Sequence, residues 1–303
     1  CTSAVSTVAI SQNTTAPVPT ASNSTTLTCA VSTVALTGGP ASGVTYQWSG
    51  PGFSGGTTSQ NAVATAAGTY TLKVTDAVNG CTATAVTTVA QNTTAPSPTA
   101  SNSTTLTCSN LTAALTGGPA AGVTYQWSGP GFSGGTTSQN ATATAPGTYT
   151  LVVTSTANSC TAAATAAVTQ NTTAPSPTAN NSTTLTCSNL TAALTGAPGA
   201  GVTYQWLGAG FSGGTTSQNA TATLPGTYTL VVTSTANSCT AAATAAVTQN
   251  TTAPSPTASN SATITCTNTT VALSGGPGAG VTYQWSGAGF SGGTTSQNAT
   301  ATD

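Results

Sequence analysis

A sequence repeat of 79 residues constrains this chain more than any other feature. The block VTYQWSGPGFSGGTTSQN recurs with few changes, and the same spacing separates its tryptophans Trp48, Trp127, Trp206 and Trp285. The tyrosines Tyr70, Tyr149 and Tyr228 keep this spacing, so the register holds across the whole unit. A unit of this length is longer than the common helical solenoid repeats and suits a small β-domain with its own core. The chain is therefore predicted to be a linear array of similar domains.

The repeat register divides the sequence into five parts. Residues 1–14 align with the segment that begins at Cys81 and are predicted to be the last strand of a preceding repeat. Complete repeats are predicted at 15–93, 94–172 and 173–251, and an incomplete repeat at 252–303, which lacks the counterpart of Pro225–Ser238. The segments QNTTAPVPT and QNTTAPSPTAS are rich in Pro, Thr and Asn, so we expect short extended linkers between the repeats.

Alternation of apolar and polar residues predicts strands. Val44, Tyr46 and Trp48 alternate with Thr45 and Gln47, which is typical of a half-buried strand. The Tyr70 segment alternates in the same way, Gly-rich stretches supply turns, and no helical period competes. The fold is therefore predicted to be all-β, a series of antiparallel β-sandwiches.

Two aromatic positions have alternative interpretations. The Trp48 side chain and its copies are predicted to fill the sandwich core rather than to stack on sugars, because they lie on alternating strands. Phe53 and its copies lie in Gly-rich loops, so either contact with a partner or local packing fits the sequence.

The near absence of charge excludes several function classes. The chain has no His, Glu or Arg, and its only charged side chains are Lys73, Asp76 and Asp303. Acid–base pairs and His-based metal sites cannot be assembled from these, so we predict no enzyme, cofactor or metal site. One lysine cannot provide the phosphate contacts of a nucleic-acid-binding protein. No run of eighteen apolar residues occurs, so no membrane insertion is expected.

Cysteine spacing suggests disulfides. The pairs Cys29 and Cys81, Cys108 and Cys160, and Cys187 and Cys239 are each separated by 52 residues, and no CxxC occurs. We predict one disulfide within each repeat, which would stabilise it by about 3–4 kcal/mol, although reduced thiols remain an alternative. Disulfides would also place the chain in an oxidising, extracellular compartment.

Cys1 and Cys266 are left over by this pairing. Cys1 aligns with Cys81, whereas Cys266 aligns with Cys29. They would pair within a longer chain or between subunits, as in a head-to-tail assembly. A lipid-modified Cys1 is the alternative interpretation.

Fourteen asparagines lie in Asn-x-Ser/Thr sequons, which are candidate glycosylation sites. Because Ser and Thr are so abundant, some of these matches arise by chance. The asparagines are Asn13, Asn23, Asn92, Asn102, Asn110, Asn140, Asn171, Asn180, Asn181, Asn189, Asn219, Asn250, Asn268 and Asn298.

The segment TTLTCSNLTAALTGGPAAGVTYQWSGPGFSGGTTSQN, followed by PGTYTLVVTSTANSC, resembles the tandem immunoglobulin-like (PKD-like) repeats of long bacterial surface and gliding-type adhesins. The resemblance implies immunoglobulin-like sandwiches, an extracellular or cell-surface location and a stalk role. Two departures stand out. The second cysteine follows the tyrosine by eleven residues rather than two, which argues against the usual disulfide position. The linkers read QNTT instead of carrying Asp, which removes expected calcium ligands.

Two functions are consistent with the sequence. A structural stalk or filament fits repeats that are nearly identical and carry no repeat-specific site. The alternative is an adhesin whose repeats bind glycans or surfaces through the Phe53-type loops, with avidity compensating for weak single contacts. The expected partners are copies of the chain itself or further repeats of the same chain, and glycans under the second hypothesis.

Overall fold

A computed structural model describes residues 2–303. The chain divides into two compact units, one formed by Cys1–Thr173 with Asn237–Cys239 and the other by Ala174–Ala236 with Thr240–Asp303. The described residues form strands, turns and loops without a helix, so none of them forms a helical membrane span.

The first repeat has seven strands in two sheets. The strands are β1 (Thr20–Asn23), β2 (Val34–Gly39), β3 (Val44–Ser49), β4 (Phe53–Gly55), β5 (Asn61–Ala64), β6 (Gly68–Asp76) and β7 (Thr82–Val89). One sheet has the order β1-β2-β5-β4 and the other β3-β6-β7, with every pair antiparallel. This four-plus-three arrangement is that of a constant-type immunoglobulin domain.

The second repeat has the same two sheets. Its strands are β8 (Thr99–Asn102), β9 (Ala113–Gly118), β10 (Val123–Ser128), β11 (Asn140–Ala143), β12 (Gly147–Ser155) and β13 (Thr161–Val168). The sheets are β8-β9-β11 and β10-β12-β13. A single bridge from Phe132 to Ala143 replaces the counterpart of β4.

The third repeat adds one short parallel pair. Its strands are β14 (Thr178–Asn181), β15 (Leu185–Thr186), β16 (Ala192–Ala197), β17 (Val202–Leu207), β18 (Asn219–Ala222), β19 (Gly226–Ser234), β20 (Thr240–Val247) and β21 (Gln249–Asn250). Strands β15 and β21 pair in parallel, at the place where the first two repeats have the bridges Leu27–Gln91 and Leu106–Gln170.

The fourth repeat contains one sheet. Its strands are β22 (Thr257–Asn260), β23 (Thr270–Gly276), β24 (Phe290–Gly292) and β25 (Asn298–Thr302), in the order β22-β23-β25-β24. A cavity of about 320 Å³ lies beside Trp285. In the first repeat Leu72 lies close to Gly38, whereas the nearest atoms around the equivalent Gly275 belong to Trp285, Tyr283 and the Gln297 backbone.

Each sandwich core follows from the alternation in its strands. In β6, Tyr70, Leu72 and Val74 are buried and alternate with less buried residues. Leu72 pairs with Trp48 on β3, so two large side chains meet at the centre of the domain. The predicted array of antiparallel sandwiches is therefore confirmed, and Trp48, Trp127 and Trp206 lie in the cores as expected. Trp285 is only half-buried, because its repeat has a single sheet.

The strands of the four repeats fall inside the predicted ranges, whose boundaries stay predictions. Residues 2–14 form no strand, and Val5, Val8 and Ile10 are exposed. A counterpart of β7 needs a strand like β6 beside it, and none precedes these residues in this sequence. Their assignment to a preceding repeat therefore stays a prediction.

Candidate functional site

The site that the structure builds most completely is a covalent junction between successive repeats. Among residues 2–303, no three His, Cys, Asp or Glu side chains lie together as a candidate metal site. In the first unit, however, two disulfides join cysteines of neighbouring repeats. We define the junction by Cys29, Asn92, Thr94, Asn158 and Cys160.

The observed disulfides are Cys29–Cys160 and Cys108–Cys239, each with a sequence separation of 131 residues. Their Cα–Cα distances are 5.0 and 5.1 Å, within the usual range for a disulfide. The predicted pairs Cys29–Cys81, Cys108–Cys160 and Cys187–Cys239 are therefore wrong. The first cysteine of one repeat is bonded to the second cysteine of the next.

The length of β7 explains why the pairing within a repeat is wrong. Leu27 is bonded to the end of this strand, because its N–H donates to the Ala90 carbonyl and its carbonyl accepts from the Asn92 N–H. Cys29 is thus held near that end, whereas Cys81 precedes the first residue of β7. Eight extended residues span roughly 26 Å, far beyond the ~7 Å Cα–Cα limit of a disulfide.

Asn158 fixes the turn that carries Cys160 against the linker. The Asn158 side chain is 5% exposed. Its Nδ2 donates to the Asn92 Oδ1 at 2.8 Å and to the Thr94 carbonyl at 2.9 Å, and its Oδ1 accepts from the Cys160 N–H at 3.0 Å. The junction therefore combines a disulfide with a buried amide whose donors and acceptor are all used.

The same arrangement recurs in the first unit. Asn237 Nδ2 donates to the Asn171 Oδ1 and to the Thr173 carbonyl, both at 2.9 Å. The Asn237 Oδ1 accepts from the Cys239 N–H at 3.0 Å. The role of these asparagines was not predicted from the sequence, although each of the first three repeats carries an Asn-x-Cys motif between its last two long strands, at Asn79, Asn158 and Asn237.

Cys81, Cys187 and Cys266 are not bonded in the structure, and Cys1 lies outside the described residues. Cys81 is half-buried, and the neighbouring Asn79 donates to the Thr15 carbonyl at 2.9 Å, as Asn158 does to Thr94. Cys187 is exposed. These two cysteines occupy the same sequence positions as the bonded Cys160 and Cys29.

The Phe53-type residues pack locally. The Phe53 ring lies edge-on to the Tyr70 ring, with a centroid distance of 5.1 Å. Phe132 and Phe211 make the same contact with Tyr149 and Tyr228. Of the two interpretations left open by the sequence, local packing is the one observed.

Asp76 organises the turn of the first repeat. Its Oδ1 accepts from the N–H groups of Val78 and Asn79 at 2.8 and 2.9 Å. The hydrogen bonds from Asn79 and Val78 lower the pKa of Asp76 below its ordinary value of 3.8. The Asp76 carboxylate therefore has a defined local role in this turn.

No protein-family model and no curated protein matches the chain. Solved structures of tandem immunoglobulin domains are similar to it. Sidekick-1 immunoglobulin domains 1–5 match with 13% identity and a TM-score of 0.26, over 77% of this chain and 58% of that one. The titin I-band fragment I67-I69 matches with 11% identity and a TM-score of 0.27, over 72% and 92%. Murine CEACAM1b matches with 13% identity and a TM-score of 0.27, over 51% and 100%.

The chain thus spans somewhat over half the length of the Sidekick-1 fragment. The strand order and register of the chain itself establish the fold. It is a tandem array of immunoglobulin-like β-sandwich domains, with disulfides that join successive repeats of the sequence.

Proposed function

We propose that this chain is a structural stalk or filament segment of an extracellular bacterial surface protein. The observation that carries the proposal is the repeated junction, in which disulfides with the same 131-residue separation join successive repeats. A protein that binds a ligand through single domains gains little from disulfides between successive domains. A protein that transmits tension between its two ends does gain from them, because each disulfide carries part of the load across a junction.

The junction supports this role through its geometry. The linker around Asn92 and Thr94 is the only backbone connection between the first two repeats, and the Cys29–Cys160 bond runs parallel to it. Tension between the first two repeats is therefore shared by the linker backbone and the Cys29–Cys160 disulfide. Such a bond persists in an oxidising compartment, which supports an extracellular location.

The same logic suggests the partners. Cys81 has the position of Cys160, and Cys187 has the position of Cys29, so both are suited to the same disulfide with further repeats of this type. These repeats would belong either to the same chain or to another copy of it. The bacterial surface origin rests on the resemblance of the repeat sequence alone.

The alternative, an adhesin that binds glycans through the Phe53-type loops, is less well supported. Phe53, Phe132 and Phe211 are engaged with tyrosines of their own domains. The three rings are half-buried in these contacts, which reduces the aromatic surface available for stacking on sugars. Neither an enzymatic function nor a cofactor is proposed.

Electron microscopy of the purified, oxidised chain tests the stalk proposal. We expect extended particles of uniform end-to-end length. The double variant Cys29→Ala/Cys160→Ala should broaden the length distribution, because the first junction becomes a simple hinge. The control Lys73→Val, which copies Val152 of the second repeat at an exposed position, should leave the distribution unchanged. Equal length distributions for all three proteins, together with binding of the oxidised wild type to a glycan panel, would favour the adhesin instead.

A further inference from the structure

We infer that Asn140, Asn219 and Asn298 are N-glycosylation sites that carry glycans on the outer faces of their domains. The three residues occupy the same place, the first position of β11, β18 and β25. Each is exposed and begins the sequon Asn-Ala-Thr. The inference is independent of the stalk proposal, because it depends on how each asparagine amide is used.

In the first class of sequon, the asparagine side chain forms a hydrogen bond across its own sandwich. The Nδ2 of Asn23, Asn102 and Asn181 donates to the carbonyls of Thr88, Ala167 and Ala246 at 2.9, 3.1 and 3.0 Å. These bonds connect the first strand of each repeat to its last. A glycan replaces one of the two Nδ2 hydrogens and adds bulk at a half-buried contact, so the fold disfavours modification there.

In the second class of sequon, the asparagine side chain forms a hydrogen bond with the backbone of its own turn. The Nδ2 of Asn110, Asn189 and Asn268 donates to the carbonyl five residues earlier, at 3.3, 3.2 and 3.3 Å. The backbone N–H of each also donates to a threonine hydroxyl at 3.0 Å. Modification would compete with the hydrogen bonds that shape this turn.

The third class lies in the linkers. The Oδ1 atoms of Asn92 and Asn171 accept from the buried amides of Asn158 and Asn237. The Oδ1 atoms of their counterparts Asn13 and Asn250 accept from the backbone two residues later. A glycan on Asn92 would crowd the turn that carries Cys160, so the junction itself disfavours it.

Asn140 and Asn219 differ from all of these, because their side chains make no hydrogen bond with any described residue. Asn298 accepts one from the Ser274 hydroxyl at 3.1 Å. Its Nδ2 is free, as in the linker residues Asn13 and Asn250, but Asn298 shares the exposed strand position of Asn140 and Asn219. Asn180 is also exposed, but it lies in a sequon of the third repeat alone, so the inference is restricted to the recurring position.

The strand geometry presents the sequon to solvent. Asn140 and Thr142 point to one face of β11, whereas Ala141 and Ala143 point to the core and are buried. A glycan on Asn140 therefore extends away from the domain without displacing a core residue. The chain otherwise has almost no charge, so sugars at regular intervals would supply hydration that its side chains lack.

The chemistry is a glycosyl transfer from an activated sugar donor with a diphosphate leaving group. The Asn140 Nδ2 forms a bond to the anomeric carbon as the bond from that carbon to the donor oxygen breaks. The diphosphate leaves with the electron pair, and one amide proton passes to a base of the transferase. No oxidant or reductant is required.

The first repeat contains a natural control. Asn61 lies at the first position of β5 and pairs with Thr37, as Asn140 pairs with Thr116. It is followed by Ala62 and Val63, so the position is the same but the sequon is absent. Since threonine occupies the place of Val63 in the later repeats, Val63→Thr completes a sequon with little structural change.

Glycopeptide mass spectrometry of the full chain, purified from its native surface, tests the inference. We expect glycan mass on Asn140, Asn219 and Asn298 and none on Asn61, Asn23, Asn102 or Asn181. Thr142→Ala should abolish the glycan on Asn140 alone, and Val63→Thr should add one on Asn61. Mapping of the two disulfides in each variant controls for folding.

Two results would overturn the inference. One is an unmodified Asn140, Asn219 and Asn298 in the wild type. The other is modification of Asn102 or Asn181 to the same extent as Asn140, since the use of the amide would then have no influence on the choice of site.

Discussion

Tyr149 shows how a single side chain organises a domain of this array. Its ring is fully buried, and its hydroxyl lies 2.8 Å from the carbonyls of both Gly131 and Ala145. The ring also forms the edge-on contact with Phe132. One residue therefore fixes the entry to β12 and the Gly-rich loop that contains the phenylalanine, which matches the tyrosine corner of immunoglobulin domains.

Removal of the Tyr149 hydroxyl should destabilise the second repeat. We expect Tyr149→Phe to lower the free energy of unfolding by about 1–2 kcal/mol, because the two partly buried carbonyls share a single hydroxyl donor, which the substitution removes. Tyr125→Phe is the matched control, since its hydroxyl bonds to the Pro119 carbonyl near the surface. Chemical denaturation of the two variants measures the difference. An equal effect of both variants would contradict the proposed role of Tyr149.

Asp76 should make the first repeat sensitive to acid. Its pKa is lower in the folded state, so its contribution to stability is present above pH 3.8 and is lost as the pH falls below that value. Asp76→Ser copies Ser155 of the second repeat and should remove this dependence. Unfolding midpoints measured between about pH 5 and pH 2 test it. Asp303→Asn is the control, because Asp303 is the only other acidic side chain.

At the scale of the element, the turn between the two last strands of a repeat positions the chemistry. In the second repeat, Ser159 adopts a φ of 56°, and the Ser155 N–H bonds to the Cys160 carbonyl at 2.9 Å. The turn thus presents Asn158 and Cys160 together. Because it belongs to the repeat after the linker, it meets the end of the preceding domain.

Loss of the Asn158 amide should loosen this element. We expect Asn158→Ala to destabilise the junction by roughly 1–3 kcal/mol, because the Cys160 N–H loses its buried acceptor. Reduction of Cys29–Cys160 by a thiol should therefore be faster, whereas Cys108–Cys239 in the same molecule serves as the internal reference. Asn79→Ala is the control. Unchanged relative reduction rates of the two disulfides would refute the role of Asn158.

The sequence predicts the elements far better than the connections between them. Alternation around Trp48 and Tyr70 identifies strands and core, because burial on one sheet face is a local property with a period of two. Cysteine pairing is not local. Spacings of 52 and 131 residues both fit the repeat, and only the length of β7 excludes the shorter one. The role of Asn158 could not be predicted from the sequence either, because its partners Asn92 and Thr94 are distant in the chain and meet it only in the folded structure.

At the scale of the molecule, the two disulfides enclose overlapping segments of the chain. Cys108 lies inside the segment closed by Cys29–Cys160 and is itself bonded to Cys239. The second repeat is therefore tied both to the first and to the third. While both disulfides are intact, the segment from Cys29 to Cys239 therefore cannot be stretched to its full length.

Pulling on single molecules distinguishes this connectivity from disulfides within repeats. The variant Cys108→Ala/Cys239→Ala retains only Cys29–Cys160, which withholds 131 residues from extension. Reduction should lengthen the fully stretched variant by roughly 430–470 Å, at about 3.3–3.6 Å per residue. A gain of only roughly 170–190 Å would instead indicate pairs 52 residues apart and contradict the junction, by the same length per residue. The triple variant that also carries Cys29→Ala controls for other effects of the reductant and should not lengthen, because no disulfide between repeats remains to be opened.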